Sequence, residues 1–256
     1  MRGTHHESAF SFYESQFEVI RADTAALRDR VYQIRYQVYC VENPYEDQSQ
    51  NVGGREIDAD DDRAAHVLLI HRESGEAVGT ARVIFPDPFR ERSLPIERIL
   101  DASAGSQFQR LPLQSTGEVS RFAVSKAFRR RRCEDRYADV GPASGIAPAS
   151  SAERRIMPFI TFGLVRGILG VCLENGLSHI TAVMEPALIR LLKRFALDFN
   201  PLGGLVEHHG LRQPCVGRVH EMVAEVREQS GLLWPHFSTE ISRRQHLRSA
   251  PLGSRA

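Results

Sequence analysis

Between Ile156 and Leu173 the sequence is apolar on every side of a helix, and the stretch carries Pro158, Gly163, Arg166, Gly167 and Gly170. A helix that is hydrophobic all round has to be buried. It is too short and too interrupted to span a bilayer, which asks for about 20 consecutive apolar residues. The reading is therefore a buried helix over residues 153–175, ended by Gly176, a C-terminal glycine of the usual kind. Whatever else the chain forms has to cover this helix.

The surrounding patterns supply the cover. Residues 17–20 read as a short strand. A helix follows from Thr24 to about Val41, capped by Asp23, with Leu27, Val31, Ile34 and Val38 on one face and Arg28, Tyr32, Arg35 and Tyr39 along the next. Asn43-Pro44 ends it, because the residue before proline avoids the helical region. Residues 45–62 are acidic, contain Gly53-Gly54, and read as an exposed loop. Two strands, 66–71 and 77–85, follow as a hairpin turning at Gly75. Residues 86–114 wander, with a short helix at 96–100. Then come a strand at 116–124, the apolar helix, a strand at 177–184, and a helix from Pro186 to about Leu197 with proline at its first position. A hairpin around Gly210 (206–219) and a short helix at 220–229 complete the order. This is an α/β (α+β) arrangement: a mixed, mostly antiparallel sheet flanked by helices. The expected organisation is a flexible N-terminal arm at 1–15, one domain over 16–230 with a basic and Gly/Pro-rich insertion at 128–151, and a polar C-terminal tail at 231–256.

Charge and cysteine content narrow the function classes. The formal net charge is +1, which excludes a strongly basic nucleic-acid binder. Almost all the positive charge is arginine, Lys126 and Lys193 being the only lysines. Cys40, Cys133, Cys172 and Cys215 are scattered without paired spacing. That argues against a disulfide framework or a metal site and fits a reducing cytoplasm. Met1 to Phe17 is polar and has no apolar core of a signal peptide. No metal and no tightly bound cofactor are expected, and no transmembrane segment.

Four charged clusters stand out: Arg35 to Glu42 at the end of the first helix, Glu56/Asp58/Asp61 in the acidic loop, Gly79 to Arg82 in a strand, and Glu118-Val-Ser120-Arg121-Phe122 in another. A charged loop is usually just solvated, and charges inside strands can be a structural ion-pair network. Alternation puts Glu118, Ser120 and Phe122 on one side of the strand and Arg121 on the other. Burying Arg82 or Glu118 would be costly without partners. Cys40, Cys215 and His208-His209 have no triad signature and read as packing and hairpin features. Phe159, Phe162, Leu164, Ile168 and Leu169 read as core before acyl-tunnel wall.

Taken together and in this order, the clusters resemble the acyl-homoserine-lactone synthase superfamily, with its R-x-x-V-[FY], E-x-D-x-x-D, G-x-x-R and E-x-S-R-F motifs. The second half, Met184-Glu185-Pro186 through Phe195 and Val206 through Cys215, resembles instead the PEP-CTERM/exosortase system-associated acyltransferases, relatives of the N-acyl amino acid synthases. The resemblance spans residues 15–225 and implies a GNAT-like fold with a splayed central strand. It implies an acyl donor held as a phosphopantetheine thioester on acyl carrier protein or coenzyme A, and a small amine or amino acid as acceptor. Glu56, Asp58, Glu118 and Arg121 become the candidate catalytic residues. Arg35, Asp61, Arg82, Ser120, Phe122 and Val124 become substrate-binding candidates, with the backbone at Phe122 to Val124 facing the thioester carbonyl. No Q/R-x-x-G-x-G/A pyrophosphate loop follows the central strand. Arg129, Arg130, Arg131 and Arg132 stand there instead, suited to a single phosphate and an acidic carrier surface. The leading function is N-acyl transfer. The alternatives are a lactone signal synthase, or a non-catalytic GNAT-fold regulatory or scaffold module of an exosortase or exopolysaccharide system.

Overall fold

The structure is a computed structural model, and it describes residues 11–89, 91–126 and 157–229. At the end of the expected N-terminal arm, residues 11–16 are helical, and Tyr13 is buried with its ring stacked on Phe17. The strands are β1 (Phe17–Arg21), β2 (Ala64–His71), β3 (Ala77–Ile84), β4 (Thr116–Val124), β5 (His179–Met184), β6 (Asn200–Pro201), β7 (Val206–Glu207) and β8 (Leu211–Arg218). They hydrogen-bond in the order β1-β2-β3-β4-β5-β8-β6, with β7 beside β8. β1 and β2 are antiparallel, as are β5 and β8, whereas β4 and β5 run parallel. The helices are α1 (Ala25–Tyr36), α2 (Ala102–Phe108), α3 (Met157–Glu174), α4 (Pro186–Lys193) and α5 (Val219–Gln229). This is an open, mixed, mostly antiparallel sheet flanked by helices.

The described residues divide into two compact units. One is drawn from Met1–Asp58, His66–Ala81 and Arg121–Leu164, the other from Ala59–Ala65, Arg82–Ser120 and Val165–Ala256. The first has a core of Ala22, Val31, Ile34 and Leu68, against which Ile20, Leu27 and Ile70 pack. The second has a core of Ile84, Leu94, Ile96, Phe108 and Leu202. Phe159, Phe162, Leu164, Ile168 and Leu169 of α3 are all buried, as a helix apolar all round requires.

Three local differences from the sequence reading have physical causes. The cap of α1 is Thr24, whose hydroxyl accepts the Leu27 N–H, while Asp23 pairs with Arg21. Beyond Tyr36 the coil widens into a π-helix, Gln37–Glu42, before Asn43 ends it. Helix α2, expected as irregular chain, is capped by Asp101, whose carboxylate accepts the Ala104 N–H at 2.8 Å, a start signal that was legible in Asp101-Ala-Ser-Ala.

Candidate active site

In the first unit the acidic segment and the end of α1 converge on one strand residue. Arg35 is fully buried, and its Nε donates to Glu56 Oε2. Arg121 donates to the same carboxylate, from Nε to both oxygens at 3.2 Å and from a terminal nitrogen to Oε1 at 2.9 Å. The same terminal nitrogen reaches Glu46 and Asp58, each at 3.1 Å. Arg35 also stands 3.8 Å from Asp58. Two tyrosines of the helix support the pair: the Arg35 guanidinium lies 5.6 Å from the Tyr32 ring centre and that of Arg121 5.5 Å from the Tyr39 ring centre. Burial alone would push the Glu56 carboxyl up, but the hydrogen bond and charge of Arg35, with Arg121 beside it, hold it below the ordinary glutamate value. Glu56 is thus the buried, ionised anchor of two arginines. Asp58 and Glu46 form a more accessible rim, 29% and 33% exposed.

Arg121 owes its position to an unusual backbone. Its φ is 49°, the left-handed region, in the middle of β4. A non-glycine residue there costs about 1–3 kcal/mol and persists only where its surroundings over-determine it. Three carboxylates do so here. Regular strand alternation is therefore interrupted at Arg121. The β4–β5 register runs from Thr116↔His179 to Val119↔Ala182 and ends there.

Past Arg121 the strand is held closely. Tyr39 donates its hydroxyl to the Phe122 carbonyl at 3.1 Å, and the Ser125 N–H donates to the Val78 carbonyl at 2.9 Å. The motif glycine, Gly79, is explained by the same approach: a Cβ there would lie 2.8 Å from the Ala123 carbonyl oxygen and 3.3 Å from Val124. Val124 and Phe122 are half-buried.

The second unit holds its own cluster. Arg82, nearly fully buried, donates to Asp61 at 2.7 Å and to the Ser120 hydroxyl at 3.0 Å. Glu118 is buried, and its Oε2 accepts the Ile96 N–H at 2.8 Å. Burial pushes its carboxyl up to about 7, against the opposing pull of that hydrogen bond and of Arg82. Arg35 is committed to Glu56, and a backbone amide serves Glu118. The amide comes from the 3₁₀ turn Pro95–Arg98, which overlaps the short helix expected at 96–100.

The remaining candidates resolve simply. Cys40, Cys172 and Cys215 are buried thiols, and burial pushes Cys215 up to about 12 and Cys172 higher still. His208 and His209 sit in the β7–β8 turn with His209 at φ 54°. Arg129, Arg130, Arg131, Arg132 and Cys133 lie outside the described residues, as do the whole 128–151 insertion and the whole 231–256 tail. Among the described residues, no group of three or more His, Cys, Asp or Glu is placed to hold a metal ion, and no helix is long and apolar enough to cross a membrane.

Residues 34–138 match the acetyltransferase (GNAT) domain family. They contain every motif residue described above, from Arg35 to Phe122. That segment carries a GNAT-type acyltransferase domain. Several solved structures share its fold. FeeM, an N-acyl amino acid synthase from uncultured soil microbes, is 17% identical with a TM-score of 0.53, over 82% of this chain and 94% of its own. MesI, a CoA-dependent acyl-homoserine lactone synthase, is 20% identical with a TM-score of 0.52, over 84% and 95%. BjaI, another CoA-dependent acyl-homoserine lactone synthase, solved with MTA, is 16% identical with a TM-score of 0.55, over 90% and 99%. No curated relative matches the sequence.

Proposed function

We propose that this GNAT acyltransferase moves a fatty acyl chain from a phosphopantetheine thioester, on acyl carrier protein or coenzyme A, to the amine of an amino acid or similar small acceptor. One observation carries the reading: among the described residues, the carboxylates of Glu46, Glu56 and Asp58 outnumber the guanidinium groups of Arg35 and Arg121 around them. Such a cluster favours a cation at its open side, and an acceptor amine arrives as an ammonium ion.

In this reading Glu56 holds the two arginines, and Asp58, at the rim, takes the proton that leaves the ammonium. The free amine nitrogen attacks the thioester carbon. A C–N bond forms and the negative charge passes to the carbonyl oxygen; its collapse breaks the C–S bond, and the second proton shed by the nitrogen passes to the leaving sulfur, which departs as the thiol. Backbone N–H groups at Phe122 to Val124 stabilise the oxyanion. The cluster of Glu118, Ser120, Arg82 and Asp61 serves substrate binding, with Glu118 able to exchange a proton near neutrality. Arg129 to Arg132 meet the donor phosphate, a role that alanine substitution and raised salt should both weaken. The motifs from Met184 to Phe195 and from Val206 to Cys215 support a place among the exosortase-associated acyltransferases.

The test is mass spectrometry of lipid extracts from cells overproducing the protein, with the Asp58→Asn variant alongside. An N-acyl amino acid that disappears in the variant is the expected result. An acyl-lactone would transfer the reading to the signal synthases. No new product would favour a regulatory or scaffold role.

A further inference from the structure

The π-helix Gln37–Glu42 meets the site above through Tyr39, and its last residue makes two short, directed contacts of its own. Glu42 Oε1 accepts the Ser125 hydroxyl at 2.6 Å, and Oε2 accepts the Lys126 backbone N–H at 2.7 Å. One carboxylate thus takes a side-chain and a main-chain donor from two successive residues just past β4. The neighbouring Asn43 completes the connection. Its side-chain amide donates to the Val38 carbonyl at 3.0 Å, which orients its oxygen to accept Lys126 Nζ at 2.7 Å. Three residues upstream of Glu42, the Tyr39 hydroxyl takes the Phe122 carbonyl. The same short helical segment therefore grips β4 at Phe122 and again at Ser125–Lys126.

The widened coil makes this double grip possible. In a π-helix the backbone bonds run from residue i to i+5, as Asn43 N–H to Val38 carbonyl does here. The extra residue per turn rotates Glu42 away from the direction a continued α-helix would give it. π-turns inside α-helices are frequently retained at functional sites for such re-aiming.

We propose that Glu42 is a positioning residue for acyl transfer: it fixes the backbone leaving β4 so that the N–H groups between its grip and that of Tyr39 stay aimed at the oxyanion. The inference rests on the acyl-transfer reading above and deepens it. Donors of this kind act only when they meet the developing charge, so loosening them lowers kcat while leaving donor affinity nearly intact. A displacement of about 1 Å can cost about 10²-fold in rate.

The experiment uses the full-length chain with Glu42→Gln, Tyr39→Phe and Ser125→Ala. Donors are decanoyl acyl carrier protein and decanoyl-CoA, with the acceptor that yields product in the wild type. Thiol release is followed at a temperature where the near-ultraviolet circular dichroism of each variant equals that of the wild type. Glu42→Gln keeps the shape of the side chain and one acceptor oxygen but presents an amide to one of two donors. The expected result is a loss of kcat of at least about tenfold with donor KM within about threefold. Tyr39→Phe should give the same split, and Ser125→Ala, which keeps the main-chain contact, a smaller one. Faster amide exchange at Lys126 in Glu42→Gln is the second readout. Full kcat in Glu42→Gln, or a raised KM with kcat unchanged, overturns the inference. An inactive wild type overturns the acyl-transfer reading itself, and unchanged exchange at Lys126 then overturns the grip as well.

Discussion

Arg121 and Glu56, brought together across sixty-five positions of sequence, share a two-pronged ion pair in which both carboxylate oxygens are engaged by the same guanidinium. Arg35 takes the same carboxylate, so removing Glu56 would leave two guanidinium groups facing each other, one of them fully buried. Breaking a buried pair by deleting one partner costs about 3–5 kcal/mol. Glu56→Ala and Arg35→Ala should each lower chemical-denaturation stability by that order. Loss of less than about 1 kcal/mol in both would mean that the network is not holding the segment.

Asp58 differs from Glu56 in exposure and therefore in expected effect. Asp58→Asn preserves volume and removes a charge at the rim. Its melting temperature should stay within a few degrees of the wild type, while turnover falls about 10²–10⁴-fold if it accepts the amine proton. Arg121→Ala should lower both. Full turnover in both Asp58→Asn and Glu56→Gln would remove the acidic segment from catalysis.

Glu118 makes stability depend on pH in the direction opposite to an ion-paired carboxylate. Burial raises its folded value from the ordinary 4.5 to about 7. Between those values the folded chain keeps a proton that the unfolded chain has released, so the contribution of Glu118 to stability falls as pH rises from about 4.5 through 7. The difference corresponds to about 3 kcal/mol. Glu118→Gln removes this dependence: its stability relative to the wild type should improve between pH 5 and pH 8, read by urea unfolding at each pH. A constant difference across that range would show that Glu118 ionises normally.

Gly79→Ala tests the close approach of β3 to the end of β4. A methyl 2.8 Å from the Ala123 carbonyl oxygen meets backbone that has to move. Overpacking of this kind costs about 1–3 kcal/mol, and turnover should fall further than stability alone explains. An alanine variant with wild-type kcat would show that the end of β4 tolerates displacement.

Cys40, Cys172 and Cys215 should resist alkylation in the native state. They are buried, and burial disfavours each thiolate. Peptide mapping after iodoacetamide treatment should find these three labelled only on unfolding. Rapid labelling of any of them would reopen a nucleophilic role.

What the sequence determined by itself was periodicity and local chemistry. The apolar helix ending at Gly176, the strand Thr116–Val124 and the Pro186 helix start are legible because their signals lie within a few residues of the elements they specify. The motif residues of the first unit were legible as types in order: Arg35, Glu56, Asp58 and Arg121 are charges too costly to bury alone, so they had to find partners. Which partners they found was decided only by tertiary structure. Arg35 meets Glu56 rather than Glu118 because positions 35, 56 and 121 converge in space and nothing in their spacing encodes that. The left-handed turn at Arg121 and the π-turn at Glu42 were equally invisible. Each is a backbone state that no local propensity favours, held by contacts that arrive from elsewhere in the chain.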